Sequence, residues 1–158
     1  MQVRDVMNAK PSYCEPHWTV EAVAALMAHV GTGILPVVES VLNQRVLGVV
    51  TDRDLCVRAV ATGLYPAHTW VRECMTLNPI CCSAHEGVEV ALRLMRKNQV
   101  RRLPVVDADM QLRGMLSISD LVRSEAADPE AVYETLRLIC RPCVGSKTEL
   151  DIVMSHVA

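Results

Sequence analysis

The 158-residue chain contains no phenylalanine and only two tryptophans and three tyrosines. Its core must therefore be aliphatic, drawn from Val, Leu, Ala and eight Met, and stacking platforms for single-stranded nucleic acid are missing. Excess charge of one sign is missing too. With a formal net charge of -2 and a pI near 6.2, no basic footprint exists for a polyanion backbone. Nucleic acid is excluded as an expected partner.

No apolar run approaches the roughly 18 residues that cross a bilayer, so no membrane partner is expected. The opening Met1-Gln-Val-Arg-Asp-Val6 has no basic segment leading into an apolar stretch, and the expected location is cytoplasmic. An even cysteine framework is absent as well. The seven cysteines (14, 56, 74, 81, 82, 140 and 143) are scattered through a chain that is 51% hydrophobic, ample for a core without crosslinks. Reduced thiols, several of them buried, are expected.

What is present is an internal repeat. A shift of 68 residues lays Val3-Arg-Asp-Val-Met7 on Val71-Arg-Glu-Cys-Met75, Pro11 on Pro79, and Leu35-Pro-Val-Val38 on Leu103-Pro-Val-Val106. Between 3–38 and 71–106, 14 of 36 positions are identical, where unrelated sequences would share about 2. Beyond this stretch the shift becomes 66, pairing Gly48-Val-Val-Thr51 with Gly114-Met-Leu-Ser117 and Asp54 with Asp120. The two-residue difference marks a surface loop between Val38 and Gly48.

Each copy reads as β-α-β-β-α. A short extended piece at Pro11–Cys14 or Pro79–Cys82 precedes a helical stripe, Val20, Val23, Ala24 and Met27 or Val88, Ala91, Leu92 and Met95. Two β-rich runs follow, Ile34–Val38 with Val46–Val50, and Leu103–Val106 with Gly114–Leu116. A second helix starts at Thr51 or Ser117, ending near Gly63 in one copy and before Pro129 in the other. The fold class is α+β. One copy cannot bury both its helix stripes, so the two are expected to pack about a pseudo-twofold axis with a cleft between them. We divide the chain into copy 1 (1–64), copy 2 (65–124) and a C-terminal part (125–158), which opens with an amphipathic helix carrying Val132, Leu136 and Ile139 on one side. Stripes in excess of one internal interface also predict a homodimer.

The informative segment is the strand-to-helix junction, Thr51-Asp-Arg-Asp54 and Ser117-Ile-Ser-Asp120. A hydroxyl followed three residues on by an acid approximates a capping box, a sufficient structural reason for both residues. The same junction turns free N–H groups and the helix dipole toward a cleft, while its carboxylate can accept from two vicinal hydroxyls, which suits a nucleotide.

The order of a Val-Arg-Asp/Glu opening, a Leu-Pro-Val-Val strand and a Gly-x-x-Thr/Ser-x-x-Asp junction, occurring twice over about 1–123, resembles a tandem pair of cystathionine β-synthase (CBS) domains. With the tail segment Leu138-Ile-Cys-Arg-Pro142, the layout is most similar to small stand-alone bacterial CBS pairs, including the hypoxic-response type. The resemblance implies regulation without catalysis and an adenosine ligand, AMP, ADP, ATP or S-adenosylmethionine, between the copies. It places Asp54 and Asp120 on ribose, Thr51 and Ser117 on ribose or phosphate, and Ser12, Ile34, Ile80, Val100 and Leu103 around adenine. Arg53, Arg101 and Arg102 are the phosphate candidates. Since copy 1 has Gly33-Ile34 where copy 2 has Arg101-Arg102, binding is expected to be asymmetric, with Asp120 the more important acid. A cleft between copies leaves the alternative that both arginines serve Asp54.

A second reading rests on Cys14-Glu-Pro-His17, its repeat Cys82-Ser-Ala-His85, and Cys140-Arg-Pro-Cys143, whose spacings suit zinc or thiol redox chemistry on the same fold, with vestigial nucleotide clefts. Buried thiols and surface histidines are the structural alternative. Catalytic motifs are missing: Val144-Gly-Ser-Lys-Thr148 lacks the upstream glycines of a phosphate loop, no Gly-x-Ser-x-Gly occurs, and no histidine has a nucleophile in its sequence context.

Overall fold

The computed structural model describes residues 1–140, so Cys143 and the 144–148 segment lie outside the described residues. Helix α1 (Val20–Val30) is capped by Thr19, whose Oγ1 accepts from the Ala22 N–H at 3.2 Å, and stops at Gly31, where φ of 68° favours a residue without Cβ. A hairpin follows, β1 (Ile34–Val38) and β2 (Val46–Thr51), then α2 (Asp52–Asp54), which continues as a π-helical turn over Leu55–Val60. Strand β3 (Thr76–Leu77) precedes the second copy: β4 (Cys82–Ser83), α3 (Val88–Asn98), β5 (Arg102–Val106), β6 (Leu112–Ser117) and α4 (Ile118–Arg123). Helix α5 (Pro129–Ile139) closes the described chain, with Asp128 as its cap and Pro129 in its first turn.

Two three-stranded sheets result, β1-β2-β3 and β4-β5-β6. The expected first strand of copy 1 reduces to a single parallel bridge from Cys14 to Val37, matching in position the β4–β5 pairing of copy 2. Sequence patterning gave no sign of β3. It belongs to the start of copy 2, yet pairs antiparallel with β2 of copy 1, and the reciprocal contact is the Asn8–Met115 bridge.

This exchange explains the repeated Val-Arg-acid opening. Val3 is fully buried in the core of copy 2, with Val88, Leu92 and Leu116, whereas Val71 and Cys74 are buried in the core of copy 1, with Val23, Leu35 and Val50. Backbone bonds hold both turns, Val3 N–H to the Glu86 carbonyl at 2.9 Å and Val71 N–H to the Trp18 carbonyl at 2.8 Å. The acid caps its own turn, Asp5 accepting from the Gln2 N–H and Glu73 from the Trp70 N–H. Where the exchanged segments cross β2 and β6, only glycine fits: a Cβ on Gly48 would lie 2.6 Å from the Thr76 carbonyl oxygen, and one on Gly114 2.8 Å from that of Asn8.

The two hairpin ends also meet. Val46 N–H donates to the Met110 carbonyl and Leu112 N–H to that of Gln44, around a small core of Val38, Val46, Val106 and Leu112. On α3 all four stripe residues are buried, but on α1 Ala24 is exposed, contrary to the stripe expected of it. Alanines at 22, 24, 25 and 28 make α1 apolar almost all round, so its pattern does not single out the buried face. Helix α5 covers α3 and α4 with Val132, Thr135 and Ile139. Among the described residues, no helix covers the matching face of copy 1 in the same way.

Cys14 and Cys82 are core residues, one in each copy, and burial pushes each thiol up to about 12. At pH 8 both are almost wholly protonated, since the thiolate forms only as pH approaches that value. Native alkylation at pH 8 should therefore label exposed Cys56 while sparing Cys14 and Cys82, and all three should react in denaturant, as read by peptide mass mapping. Gly48→Ala should lower stability by about 1–3 kcal/mol in urea unfolding, because its nearest obstacle is backbone and cannot rotate away.

Candidate functional site

At both junctions the strand ends on its hydroxyl residue and the acid folds back over it. Thr51 N–H and Oγ1 donate to Asp54 Oδ2 at 2.9 and 2.7 Å, and Asp54 N–H donates to Thr51 Oγ1 at 3.0 Å. Ser117 and Asp120 repeat this, with 2.8 and 2.6 Å to Oδ2 and 3.2 Å in return. The capping box is thus real in both copies, and it fixes the carboxylate instead of competing with a binding role. The second oxygen of each acid faces an arginine: Arg58 Nε is 3.4 Å from Asp54 Oδ1, and Arg123 pairs with Asp120 Oδ1. A carboxylate held through one oxygen keeps accepting capacity on the other.

Each junction opens into a cleft walled by both copies. The first, of about 620 Å³, brings Thr51, Arg53 and Asp54 together with Pro79, Ile80, Val100, Arg101 and Arg102. The second, of about 460 Å³, brings Ser117, Ser119 and Asp120 together with Lys10, Ser12, Thr32, Arg102 and Arg123. Both volumes lie within the roughly 300–1,000 Å³ common for small-molecule sites. The walls correspond under the repeat: Ser12 stands for Ile80, Thr32 for Val100, Lys10 for Asn78. The first cleft is therefore apolar where the second is hydroxylated.

Three expectations change here. Arg101 lines the Asp54 cleft and not the Asp120 cleft, while Arg102 lines both, so the arginine pair favours Asp54, because the exchange carries each copy's walls to the other's junction. Leu103 is fully buried in the core of copy 2 and lines neither cleft: its β5 neighbours are covered on both faces, leaving it no open side. The helix dipole is also a modest contributor at the Asp120 cleft, since α4 spans six residues, whereas at the Asp54 cleft α2 and the π-helical turn run on together from Asp52 to Val60. Positive charge at the clefts comes from side chains. Lys10, Arg58 and Arg123 were missed by the sequence reading, although Lys10 precedes Pro11 as Asn78 precedes Pro79, and the 68-residue shift could have found it.

The zinc candidates are not brought together. Cys14 and Cys82 point into separate cores, and Cys14 Sγ donates to the Pro36 carbonyl. His17 is exposed beside Glu15, 3.7 Å away, and His85 is exposed in copy 2. No group of three or more metal-ligating side chains occurs among the described residues. These four residues as arranged do not fit a structural zinc ion. No helix among the described residues is long and apolar enough to cross a membrane.

Comparison with known proteins agrees with this architecture. The CBS domain family matches twice, over residues 3–60 and 71–127. The CBS domain-containing protein YhcV of Bacillus subtilis is 34% identical over 130 residues, 82% of this chain and 89% of its own length. Hypoxic response protein 1 of Mycobacterium tuberculosis is 30% identical over 139 residues, 88% of this chain and 94% of its own. A crystal structure of Hypoxic Response Protein I with two coordinated zinc ions superimposes with a TM-score of 0.71, at 30% identity, over 78% of this chain and 98% of that one. Arabidopsis thaliana CBSX2, solved in complex with AMP, gives 0.69 at 30% identity, over 78% and 95%. Two interlocked copies, each with its capped junction, and a family match to each of them lead to one assignment: the chain belongs to the CBS domain family, as a tandem pair.

Proposed function

We propose that this CBS pair is a regulatory module that binds a phosphorylated adenosine nucleotide, with the Asp54 cleft as the stronger site. The observation that carries the reading is the convergence there of a fixed carboxylate, an apolar pair and three arginines. Asp54 suits the vicinal hydroxyls of ribose, Val100 and Ile80 suit the faces of a purine, and Arg53, Arg101 and Arg102 suit phosphate oxygens. Ile80 remains 42% exposed in the free protein, an apolar surface that a base would cover. The AMP complex of CBSX2 supports the ligand class. The arginines disfavour S-adenosylmethionine, whose sulfonium is itself a cation.

Calorimetric titration with adenosine, AMP, ADP and S-adenosylmethionine tests this. Affinity should rise with phosphate number and be weakest for S-adenosylmethionine. Arg101→Ala should flatten the phosphate series, since an arginine–phosphate bond is worth roughly 1.5–3 kcal/mol, about tenfold or more in affinity. Asp54→Ala should weaken adenosine as well. Because Asp54 also caps α2, its removal should cost about 1 kcal/mol of stability, measured separately by unfolding. Unchanged affinity in both variants would remove the proposal's basis.

The working unit is a homodimer joined through the helical face of copy 1. Val57, Val60 and Tyr65, in and just after the π-helical turn of copy 1, are 51%, 61% and 68% exposed. Light scattering should give twice the 17.4 kDa chain mass at micromolar concentration, and Val60→Glu should shift it toward the monomer. A monomeric wild-type protein would overturn this assignment.

A further inference from the structure

The two clefts are not separate. Ile34 and Arg102 line both of them, and the 68-residue shift makes these two residues counterparts of each other. Their positions explain the sharing. Ile34 opens β1 opposite Thr51, and Arg102 opens β5 opposite Ser117, so each stands beside the junction of its own copy while bordering the other's cleft. In a fully symmetric pair, this dividing wall would carry the same side chain twice. Here one side of it is aliphatic and half-buried, and the other is an exposed guanidinium with no hydrogen-bond or ion-pair partner among the described residues.

We infer that Arg102 is a single phosphate ligand shared by the two clefts, so that an anionic nucleotide in one weakens the binding of an anionic nucleotide in the other. The inference rests on the nucleotide reading above and concerns how its two sites communicate. A guanidinium is planar and presents its donors in a fixed fork, so turning that fork to a phosphate in one cleft takes it from the other. The loss is reciprocal, as linkage requires. Other cations cannot substitute across the wall: Arg53 and Arg101 border only the Asp54 cleft, and Lys10 and Arg123 only the Asp120 cleft. Arg101 is further held by its contact with Cys140 Sγ at 3.6 Å. An uncharged ligand makes no demand on the guanidinium, so the coupling should belong to nucleotides and be missing for adenosine.

The experiment is calorimetry on the full chain with ADP and with adenosine. Asp54→Ala leaves the Asp120 cleft, and Asp120→Ala leaves the Asp54 cleft, and these variants supply the affinity of each cleft alone. In the wild type, the second ADP should bind about tenfold or more below the affinity of that cleft alone, the size expected of one charge-assisted bond. Adenosine should show no such deficit. Arg102→Ile, which gives copy 2 the residue of copy 1, should weaken ADP in both clefts and bring the wild-type deficit close to zero. Independent ADP steps, or a second step tighter than the isolated cleft, would overturn the sharing while leaving the nucleotide reading intact. Failure of the Asp54→Ala protein to bind ADP would also overturn it, since the second cleft would then be no site. Absence of ADP binding in the wild type would instead refute the underlying reading, and the sharing with it.

Discussion

Neither copy completes its own core. Val3 fills copy 2 and Val71 fills copy 1, both with no exposed surface, and the clefts exist because of this trade. From each buried valine the chain runs along the far edge of the other copy's hairpin, through Asn8 opposite Met115 or Thr76 opposite Val49. It then turns at Pro11 or Pro79 beside the other copy's junction. Burial of one Val side chain contributes roughly 1.5–3 kcal/mol, a large share of a marginal stability, so the segments that wall the clefts are anchored where the fold resists change. The glycines at 48 and 114 serve the same constraint from the opposite side, since the crossing backbone leaves no room for a side chain there.

On this shared backbone the copies have diverged at their surfaces. Helix α3 separates an apolar stripe from Arg93, Arg96 and Lys97 and is covered by α5, whereas α1 is alanine-rich on its outer side, with no such helix over it among the described residues. In the clefts, isoleucine and valine on one side answer to serine and threonine on the other, and Arg101 answers to Gly33. At Gly33 a Cβ would meet Asp52 Oδ2 at 2.6 Å, the end of an exposed side chain that would have to turn aside. In copy 2 the residue at the position of Asp52 is Ile118, which is buried, and the neighbouring position is free to hold an arginine. A single exchange of Asp for Ile at the start of the second helix thus accompanies the difference in cleft charge.

The repeat, both hairpins, the capped junctions and α5 could all be read from sequence, because each depends on contacts or periodicities that are local. The exchange could not. A shift of 68 residues shows that two segments are alike but carries no information on which copy each one packs against, and β3, at two residues, is too short to leave an alternation. The choice between Asp54 and Asp120 for Arg101 stayed open in sequence for that same reason, because adjacency in sequence to copy 2 is not adjacency in space, and the structure sets Arg101 in the Asp54 cleft. Leu103 and Ala24 failed on burial. The Leu-Pro-Val-Val run is covered on both faces, which removes Leu103 from any cleft, and a helix that is apolar all round gives no direction to its core side.

The acid of copy 1 has a mechanical connection that the acid of copy 2 lacks. Arg58 lies 3.4 Å from Asp54 Oδ1 and also donates to the carbonyls of Cys74 and Met75, at 3.0 and 3.1 Å. Arg58 lies within the π-helical turn that follows Asp54, a local form that occurs often at functional positions. Copy 2 has a regular α4, and the position of Arg58 is taken by Ser124, which bonds back to its own helix at the Asp120 carbonyl. Cys74 and Met75 belong to the exchanged segment that leads through β3 to Pro79 and Ile80. A hydroxyl that competed with Arg58 for Asp54 Oδ1 would thus act on the same strand that supplies the opposite wall of the cleft. In copy 1 one guanidinium thus touches both the acid and the exchanged segment, whereas in copy 2 the serine at that position bonds within its own helix.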